Sequence, residues 1–135
     1  VIVTAGCMEA LSFCLQAVTQ PGDAIAIECP TFYGIFRVMQ SLGLKVVEIP
    51  TDPETGIDLH YLEKVIPKFK IKACLVVGNF NNPLGSCMPD DRKQHLVEML
   101  AKREIPLIED DIYGEMYFGK SRPRTCKSFD KKGLV

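Results

Sequence analysis

Hydrophobic and polar positions along the chain follow two alternating patterns, one typical of buried strands and one typical of amphipathic helices. Short apolar runs predict strands over residues 1–4, 24–28, 45–49, 73–77 and 105–108. Apolar residues at helical spacing predict helices over about 7–20, 33–41, 58–67 and 89–101. Strands that alternate with helices of this length are typical of a mostly parallel sheet, so the pattern predicts a three-layer α/β/α fold.

Cap and turn residues support the ends of these elements. Gly43 follows the second helix, where a glycine readily adopts the left-handed conformation of a helix C-terminus. Asp58 can cap the third helix, and Pro89 suits the first turn of the fourth. Residues 51–56 are dense in turn formers, so we expect a loop there.

The composition is that of an ordinary globular domain. The 135 residues are 47% hydrophobic and 24% charged with a net charge of -1, so no basic excess indicates nucleic acid binding. No apolar run approaches the roughly 18 residues of a membrane span and no signal-peptide pattern is present, so we expect a cytoplasmic protein. His60 and His95 have no second ligand at metal spacing, so we predict no metal site.

Two polar segments directly follow predicted strands: residues 81–85 after the fourth strand and residues 109–113 after the fifth. Because the carboxyl ends of parallel strands share one edge of the sheet, we expect Asn82, Asp110 and Tyr113 to meet there. An amide, a carboxylate and a phenol match a pyridine ring with a ring nitrogen and a 3-hydroxyl, which predicts pyridoxal 5′-phosphate (PLP). Taken singly, Asn82 could merely begin a turn and Asp110 could merely cap one.

Asp110 contributes most to this prediction. A carboxylate at the end of a hydrophobic strand is costly unless a cation or a hydrogen-bond donor compensates it, and a protonated pyridine nitrogen is such a partner. Tyr113 and Asn82 can then donate to the 3-oxygen of the ring. Asp111 would face the opposite side of the segment, where we expect a structural role.

The turn before the first helix offers backbone amides. Gly6 can adopt an unusual backbone angle there, and the free amides of a helix N-terminus hold phosphate groups. A simple tight turn is the alternative. A nucleotide-binding Rossmann domain is a further alternative, but it requires a glycine fingerprint that is missing, because no glycine follows Gly6 before Gly22. Phe32, just after the second strand, could stack on a cofactor ring or could simply be a core aromatic.

Together these motifs resemble the fold-type I PLP enzymes, the class I/II aminotransferases, over essentially all 135 residues in order. The matching segments are residues 5–11, 30–32, 82–85 and 110–113. The resemblance implies that Gly6, Cys7 and Met8 supply amides to the phosphate and that Phe32 stacks on the ring. It also implies that Asn82 and Tyr113 bind the 3-oxygen and that Asp110 binds the ring nitrogen.

The chain departs from the usual family pattern at a few positions. Leu84 replaces the usual Thr of the Asn-Pro-Thr-Gly loop, and Cys7 and Met8 replace a hydroxyl or amide side chain, so phosphate contacts would depend more on the backbone. Residues 81–85 and 108–119 look most similar to the aminotransferase-like portion of MocR-type regulators of the GntR family. Those proteins couple a PLP-binding domain to an N-terminal winged helix. A free-standing PLP-dependent amino acid transaminase is the alternative.

The ends of the chain lead us to expect part of a longer protein. Residues 1–135 would be one domain, the core of a PLP-binding large domain without its small domain or any DNA-binding domain. The resemblance places the Schiff-base lysine beyond Val135, so we expect no catalytic residue in the chain and no activity from it alone. It also implies a homodimer, an amino acid or amine ligand, and DNA binding only through a separate N-terminal domain.

Overall fold

The computed structural model describes all residues 1–135 and shows helices and strands in alternation. The helices are α1 (Cys7–Val18), α2 (Gly34–Ser41), α3 (Leu59–Phe69) and α4 (Asp90–Ala101), and the short 3-10 helix η1 (Cys126–Phe129) follows them. The strands are β1 (Ala24–Cys29), β2 (Lys45–Asp52), β3 (Gly56–Ile57), β4 (Ile71–Val76) and β5 (Leu107–Glu109). None of the helices combines the length and the apolar character that crossing a membrane requires.

The strands form a single sheet in the order β3-β2-β1-β4-β5. The pairs β1/β2, β1/β4 and β4/β5 are parallel, while the two-residue strand β3 runs antiparallel to β2 at the edge. The predicted mostly parallel sheet is therefore confirmed. In this order the carboxyl ends of β1, β4 and β5 lie next to one another, which brings the segments that follow them together.

The core has two parts, one on each face of the sheet. Successive residues of β1 point to opposite faces, so Ala24 and Ala26 pack with α3 and α4, whereas Ile25 and Ile27 pack with α1 and α2. The part beneath α3 and α4 contains 19 buried residues and the part beneath α1 and α2 contains 9. Helices on both faces of the sheet confirm the predicted α/β/α arrangement.

Several predicted caps occur in the structure. The carboxylate of Asp58 accepts a hydrogen bond of 2.9 Å from the backbone N–H of Tyr61 and begins α3. Gly43 has a φ of +66° just after α2, a conformation that glycine adopts without strain. Pro67 lies within the last turn of α3 instead of bounding it, and Lys70 follows the end of the helix in the left-handed conformation.

Three further details of the predicted elements are wrong. Residues 1–4 form no strand and Val1–Val3 are largely exposed, because no other strand lies beside them to take their backbone hydrogen bonds. Strand β5 begins at Leu107 and not at residue 105, because the N–H of Ile105 instead bonds the carbonyl of Leu100 and closes the end of α4. Strand β3 (Gly56–Ile57) begins at the last residue of the segment 51–56, where only a loop was expected.

Candidate active site at the carboxyl edge of the sheet

The polar segment after β5 begins beside the end of β4. The backbone N–H of Asp110 donates a hydrogen bond of 2.9 Å to the carbonyl of Val76, the last residue of β4. Asp110 thus begins its segment beside the strand end that leads to Asn82. The parallel pairing of β4 with β5 produces this arrangement, as the sequence pattern predicted.

The start of α1 lies against the same edge of the sheet. The thiol of Cys7 donates a hydrogen bond of 3.5 Å to Oδ2 of Asp110. Burial, together with the negative charge of Asp110 and this hydrogen bond, raises the pKa of Cys7 to about 11. An open cavity of about 330 Å³ lies here between α1 and the end of β5, with Cys7, Leu11, Asp110 and Ile112 among its lining residues.

The first turn of α1 leaves backbone amides free, while the N–H of Gly6 in front of it contacts Oγ1 of Thr4 at 3.5 Å. Gly6 has a φ of +146°, and a side chain at this position would meet no atom within 4 Å. No side chain caps α1, so the amides of its first turn, among them those of Cys7 and Met8, have no partner within the helix. Glu9 accepts a hydrogen bond of 2.7 Å from the N–H of Ala5, which places one carboxylate at the same turn. The positive end of the helix dipole still favours an anion in front of it.

Asn82 and Tyr113 form a second contact between the two polar segments. The side-chain amide of Asn82 donates to the hydroxyl of Tyr113 at 3.4 Å, and both residues are partly buried. Asn81, the residue before Asn82, stabilises the loop. Its carbonyl accepts a hydrogen bond from the N–H of Gly85, and its Oδ1 accepts one from the N–H of Leu84. The structure therefore brings Asn82 to Tyr113, and Cys7 to Asp110.

Phe32 occupies a partly buried position after β1. Its ring centroid lies 4.8 Å from that of Tyr33 with the planes tilted by 50°. Its ring also lies so close to Gly34 that a side chain at Gly34 would collide with it, which explains the glycine. Phe32 makes no aromatic contact with Tyr113, so its proximity to a ring at Asp110 stays a prediction.

Sequence reasoning missed a buried carboxyl group at this edge. Glu28, near the end of β1, is only 2% exposed, and its Oε2 accepts hydrogen bonds from the N–H of Val77 at 2.7 Å and from the amide of Asn81 at 2.9 Å. Burial raises the pKa of Glu28 to about 7, the two hydrogen bonds oppose this shift, and the charge of Asp110 adds to it. The signal was present, because Glu28 ends an apolar strand just as Asp110 follows one.

A second buried polar cluster fixes the segment beyond Tyr113. The ammonium group of Lys93, which is fully buried, donates to Oδ1 of Asn79 at 2.6 Å and to the carbonyl of Arg124 at 2.7 Å. The amide of Asn79 donates in turn to Asp111, which also pairs with Arg122. Asp111 therefore has the structural contacts expected of it. Lys93 was missed because its burial depends on residues distant in sequence.

The chemistry of this donor set fits a phosphorylated pyridine ring. Free helix amides suit the phosphate group, a carboxylate suits a protonated ring nitrogen, and an amide beside a phenol suits a ring oxygen. These groups come from α1, from the loop after β4 and from the segment after β5. They lie along one edge of one sheet.

Comparison with known proteins gives consistent results. The family model described as aminotransferase class I and II matches residues 1–133. The uncharacterized HTH-type transcriptional regulator YjiR of Escherichia coli is 44% identical over 135 residues, which are 100% of this chain and 29% of YjiR. The chain thus spans less than a third of the length of this relative.

Two solved structures have the same fold over nearly the whole chain. Kynurenine aminotransferase of Pyrococcus horikoshii, in complex with PMP, gives a TM-score of 0.89 at 28% identity and is matched over 98% of this chain and 34% of that one. Cystalysin of Treponema denticola, whose structure contains a pyridoxal 5′-phosphate cofactor, gives a TM-score of 0.83 at 26% identity over 94% of this chain and 33% of that one.

Proposed function

The chain belongs to the class I and II aminotransferases, a PLP-dependent family, and on this basis we propose that its carboxyl sheet edge binds PLP. The observation that carries the proposal is the contact of 3.5 Å between Cys7 and Asp110. It places free amides of a helix N-terminus beside a carboxylate at a strand end. PLP carries an anionic phosphate group and a basic ring nitrogen. Its binding site therefore needs amides for the phosphate and a carboxylate for the protonated nitrogen.

Each residue has a distinct role in this proposal. The amides of Gly6, Cys7 and Met8 bind the phosphate group. Asp110 accepts a hydrogen bond from the protonated ring nitrogen and keeps the proton on that nitrogen. When bound, PLP supplies an electron sink for negative charge that develops next to the amino group of a ligand.

The remaining residues hold the ring in its plane. Asn82 and Tyr113 already share a hydrogen bond, and both can donate to the 3-oxygen of the ring. Phe32 covers the face of the ring by stacking, which is worth about 0.5 to 1.5 kcal/mol beyond the burial of its surface. The lysine that links to the cofactor lies outside residues 1–135.

The experiment for this proposal compares two aspartates in the full-length protein that contains these 135 residues. Asp110→Asn keeps the size of the side chain but removes its charge, so we expect PLP affinity to fall by about tenfold or more. Asp91→Asn, an exposed residue in the first turn of α4, is the matched control and should bind like the wild type. Affinity is measured by titration with PLP and visible absorbance. Unchanged affinity in Asp110→Asn would contradict the role of Asp110.

We further propose that the whole protein is a transcriptional regulator in which this chain is part of a PLP-binding effector domain. The support is the identity of 44% with YjiR over all 135 residues, compared with 28% for the kynurenine aminotransferase structure. In such a protein PLP and an amino acid or amine ligand shift a domain equilibrium that controls DNA binding by a separate N-terminal domain.

A free-standing amino acid transaminase is the second candidate, and the TM-score of 0.89 with kynurenine aminotransferase favours it. The two candidates differ in what the full-length protein does with DNA. Footprinting on its own promoter, with and without PLP and amino acids, should show protection that depends on these ligands if it is a regulator. Rapid transamination without any DNA footprint would instead establish the transaminase.

The proposal includes a homodimer in the cytoplasm, with residues 1–135 as one domain inside a larger one. Large apolar side chains are exposed near the site, among them those of Tyr33, Ile112, Met116 and Phe118. A second subunit would cover such a surface. Light scattering of the full-length protein tests this, since a monomer at micromolar concentration would contradict it.

A further inference from the structure

Glu28 is a buried carboxyl group that directly joins two strand ends. It lies near the end of β1, yet both of its hydrogen-bond donors belong to the segment after β4, namely the N–H of Val77 at 2.7 Å and the amide of Asn81 at 2.9 Å. No other side-chain hydrogen bond joins β1 to this segment. Removing the carboxyl would leave two buried donors without acceptors, which is costly.

This link reaches the proposed ring site through one residue. Asn81 is followed directly by Asn82, whose amide contacts the hydroxyl of Tyr113 at 3.4 Å. Asn81 is itself only 1% exposed, so its side chain has no solvent to replace Glu28 as a partner. The position of the Asn82 amide therefore depends on the acceptor that Glu28 provides.

Glu28 also lies within electrostatic range of Asp110. Burial is the main cause of the raised pKa of Glu28, and the charge of Asp110 adds to it. Burial also raises the pKa of the Cys74 thiol on β4, and the charge of Glu28 adds to that shift. Glu28 and Asp110 are both attached to the end of β4, because Asp110 donates its N–H to the carbonyl of Val76 and Glu28 accepts from the N–H of Val77. Asp110 and Cys74 are the titratable groups that interact with Glu28 across β4. A cation bound at Asp110 would be attracted by both carboxylates.

We propose that Glu28 is a positioning residue of the PLP site, which holds the Asn82 loop through Asn81 and adds negative charge that favours a protonated ring nitrogen. This inference rests on the proposed function. The two parts of the role are separable, because a glutamine can accept the same two hydrogen bonds but carries no charge.

The direction of the pH effect follows from the pKa of Glu28, which is about 7 in the structure. Below this pH Glu28 is mainly neutral and adds no attraction for a ring cation. Above it Glu28 is ionised, and a ring cation at Asp110 stabilises that ionised form. The contribution of Glu28 to PLP affinity should therefore grow as the pH rises through about 7.

The experiment measures PLP affinity of the full-length wild type, Glu28→Gln, Glu28→Leu and the exposed control Glu54→Gln by titration and absorbance. The ratio of the Glu28→Gln dissociation constant to that of the wild type should be near one at about pH 6 and about threefold to tenfold at about pH 8. The pH dependence of PLP itself is common to all variants and cancels in the ratio. Glu28→Leu should bind more weakly than Glu28→Gln at both values, and Glu54→Gln should match the wild type.

The results test separately the charge of Glu28 and its positioning of the loop. A ratio for Glu28→Gln that stays the same at both pH values would overturn the role of the charge. Equal affinities of Glu28→Leu and Glu28→Gln would overturn the positioning of the loop. If Glu28→Leu does not fold, Glu28→Gln still tests the role of the charge. Asn81→Leu then takes the place of Glu28→Leu as the test of loop positioning. Failure of the wild type to bind PLP would contradict the proposed function, which is a different outcome.

Discussion

The thiol of Cys7 lies 3.5 Å from Oδ2 of Asp110, although 103 positions separate the two residues along the chain. One residue begins α1 and the other follows β5, so the contact exists only because the helix packs on the sheet beside that strand. It joins a site suited to an anion with a site suited to a cation. The proposed function depends on this juxtaposition.

The Cys7–Asp110 contact predicts slow chemical modification of Cys7. Its raised pKa of about 11, compared with an ordinary value of 9.0, lowers the thiolate fraction near neutral pH by about a hundredfold. Iodoacetamide should therefore modify the exposed Cys14 well before Cys7, as followed by mass spectrometry of peptides. Asp110→Asn removes the negative charge and should accelerate the reaction at Cys7 but not at Cys14. An unchanged rate at Cys7 in this variant would show that the contact is not present in solution.

The contact between Asn82 and Tyr113 predicts coupled effects on PLP affinity. Asn82→Ala and Tyr113→Phe should each weaken binding by about fivefold to tenfold, since each removes one hydrogen bond. The double variant should lose less than the product of the single effects, because the two side chains contact each other and share one ring oxygen. Absorbance titration of all variants gives the coupling, with the exposed Tyr61→Phe as control. Independent effects that multiply would argue against a shared ligand atom.

Because its pKa is raised, we expect Glu28 to lower the stability of the protein at neutral pH. Below about pH 4.5 its carboxyl group is protonated both in the folded and in the unfolded chain. Between that pH and the folded pKa of about 7, unfolding releases a proton, so stability decreases as pH rises. Glu28→Gln should therefore gain stability relative to the wild type between about pH 5 and pH 8, by up to about 3 kcal/mol. Urea denaturation at several pH values measures this, and a difference independent of pH would contradict it.

The buried ammonium group of Lys93 predicts a structural role away from the cofactor. Lys93→Met fills a similar volume but leaves Oδ1 of Asn79 and the carbonyl of Arg124 without their shortest hydrogen bonds. The free energy of unfolding should fall by about 1 to 3 kcal/mol. The exposed Lys64→Met on α3 is the matched control, and it should stay within about 0.5 kcal/mol of the wild type. Equal urea midpoints for the two variants would remove the role assigned to Lys93.

Local patterns were sufficient to predict most of the fold. The order of strands and helices followed from hydrophobic periodicity, and Asp58 and Gly43 acted at helix ends as expected, because these signals depend on neighbours along the chain. Residues 1–4 were assigned wrongly because a strand needs a partner beside it, which composition does not reveal. The late start of β5 depends on where one N–H of Ile105 finds its acceptor.

The candidate site was predictable to a similar extent. Asn82, Asp110 and Tyr113 stood out because each follows an apolar run, and parallel strands bring such residues to one edge. Glu28 could have been noticed in the same way, because it lies at the end of an apolar strand, but its hydrogen-bond donors lie 49 and 53 positions away. Lys93 has no such local signal, and its acceptors lie 14 and 31 positions away. Their burial is a property of the packed sheet.

The structure of the full-length protein with PLP bound would show whether this sheet edge holds the cofactor. We expect the ring nitrogen at a hydrogen-bond distance of about 3 Å from the carboxylate of Asp110, with the phosphate group against the amides of Gly6, Cys7 and Met8. A cofactor bound elsewhere, or a ring whose nitrogen faces away from Asp110, would contradict it.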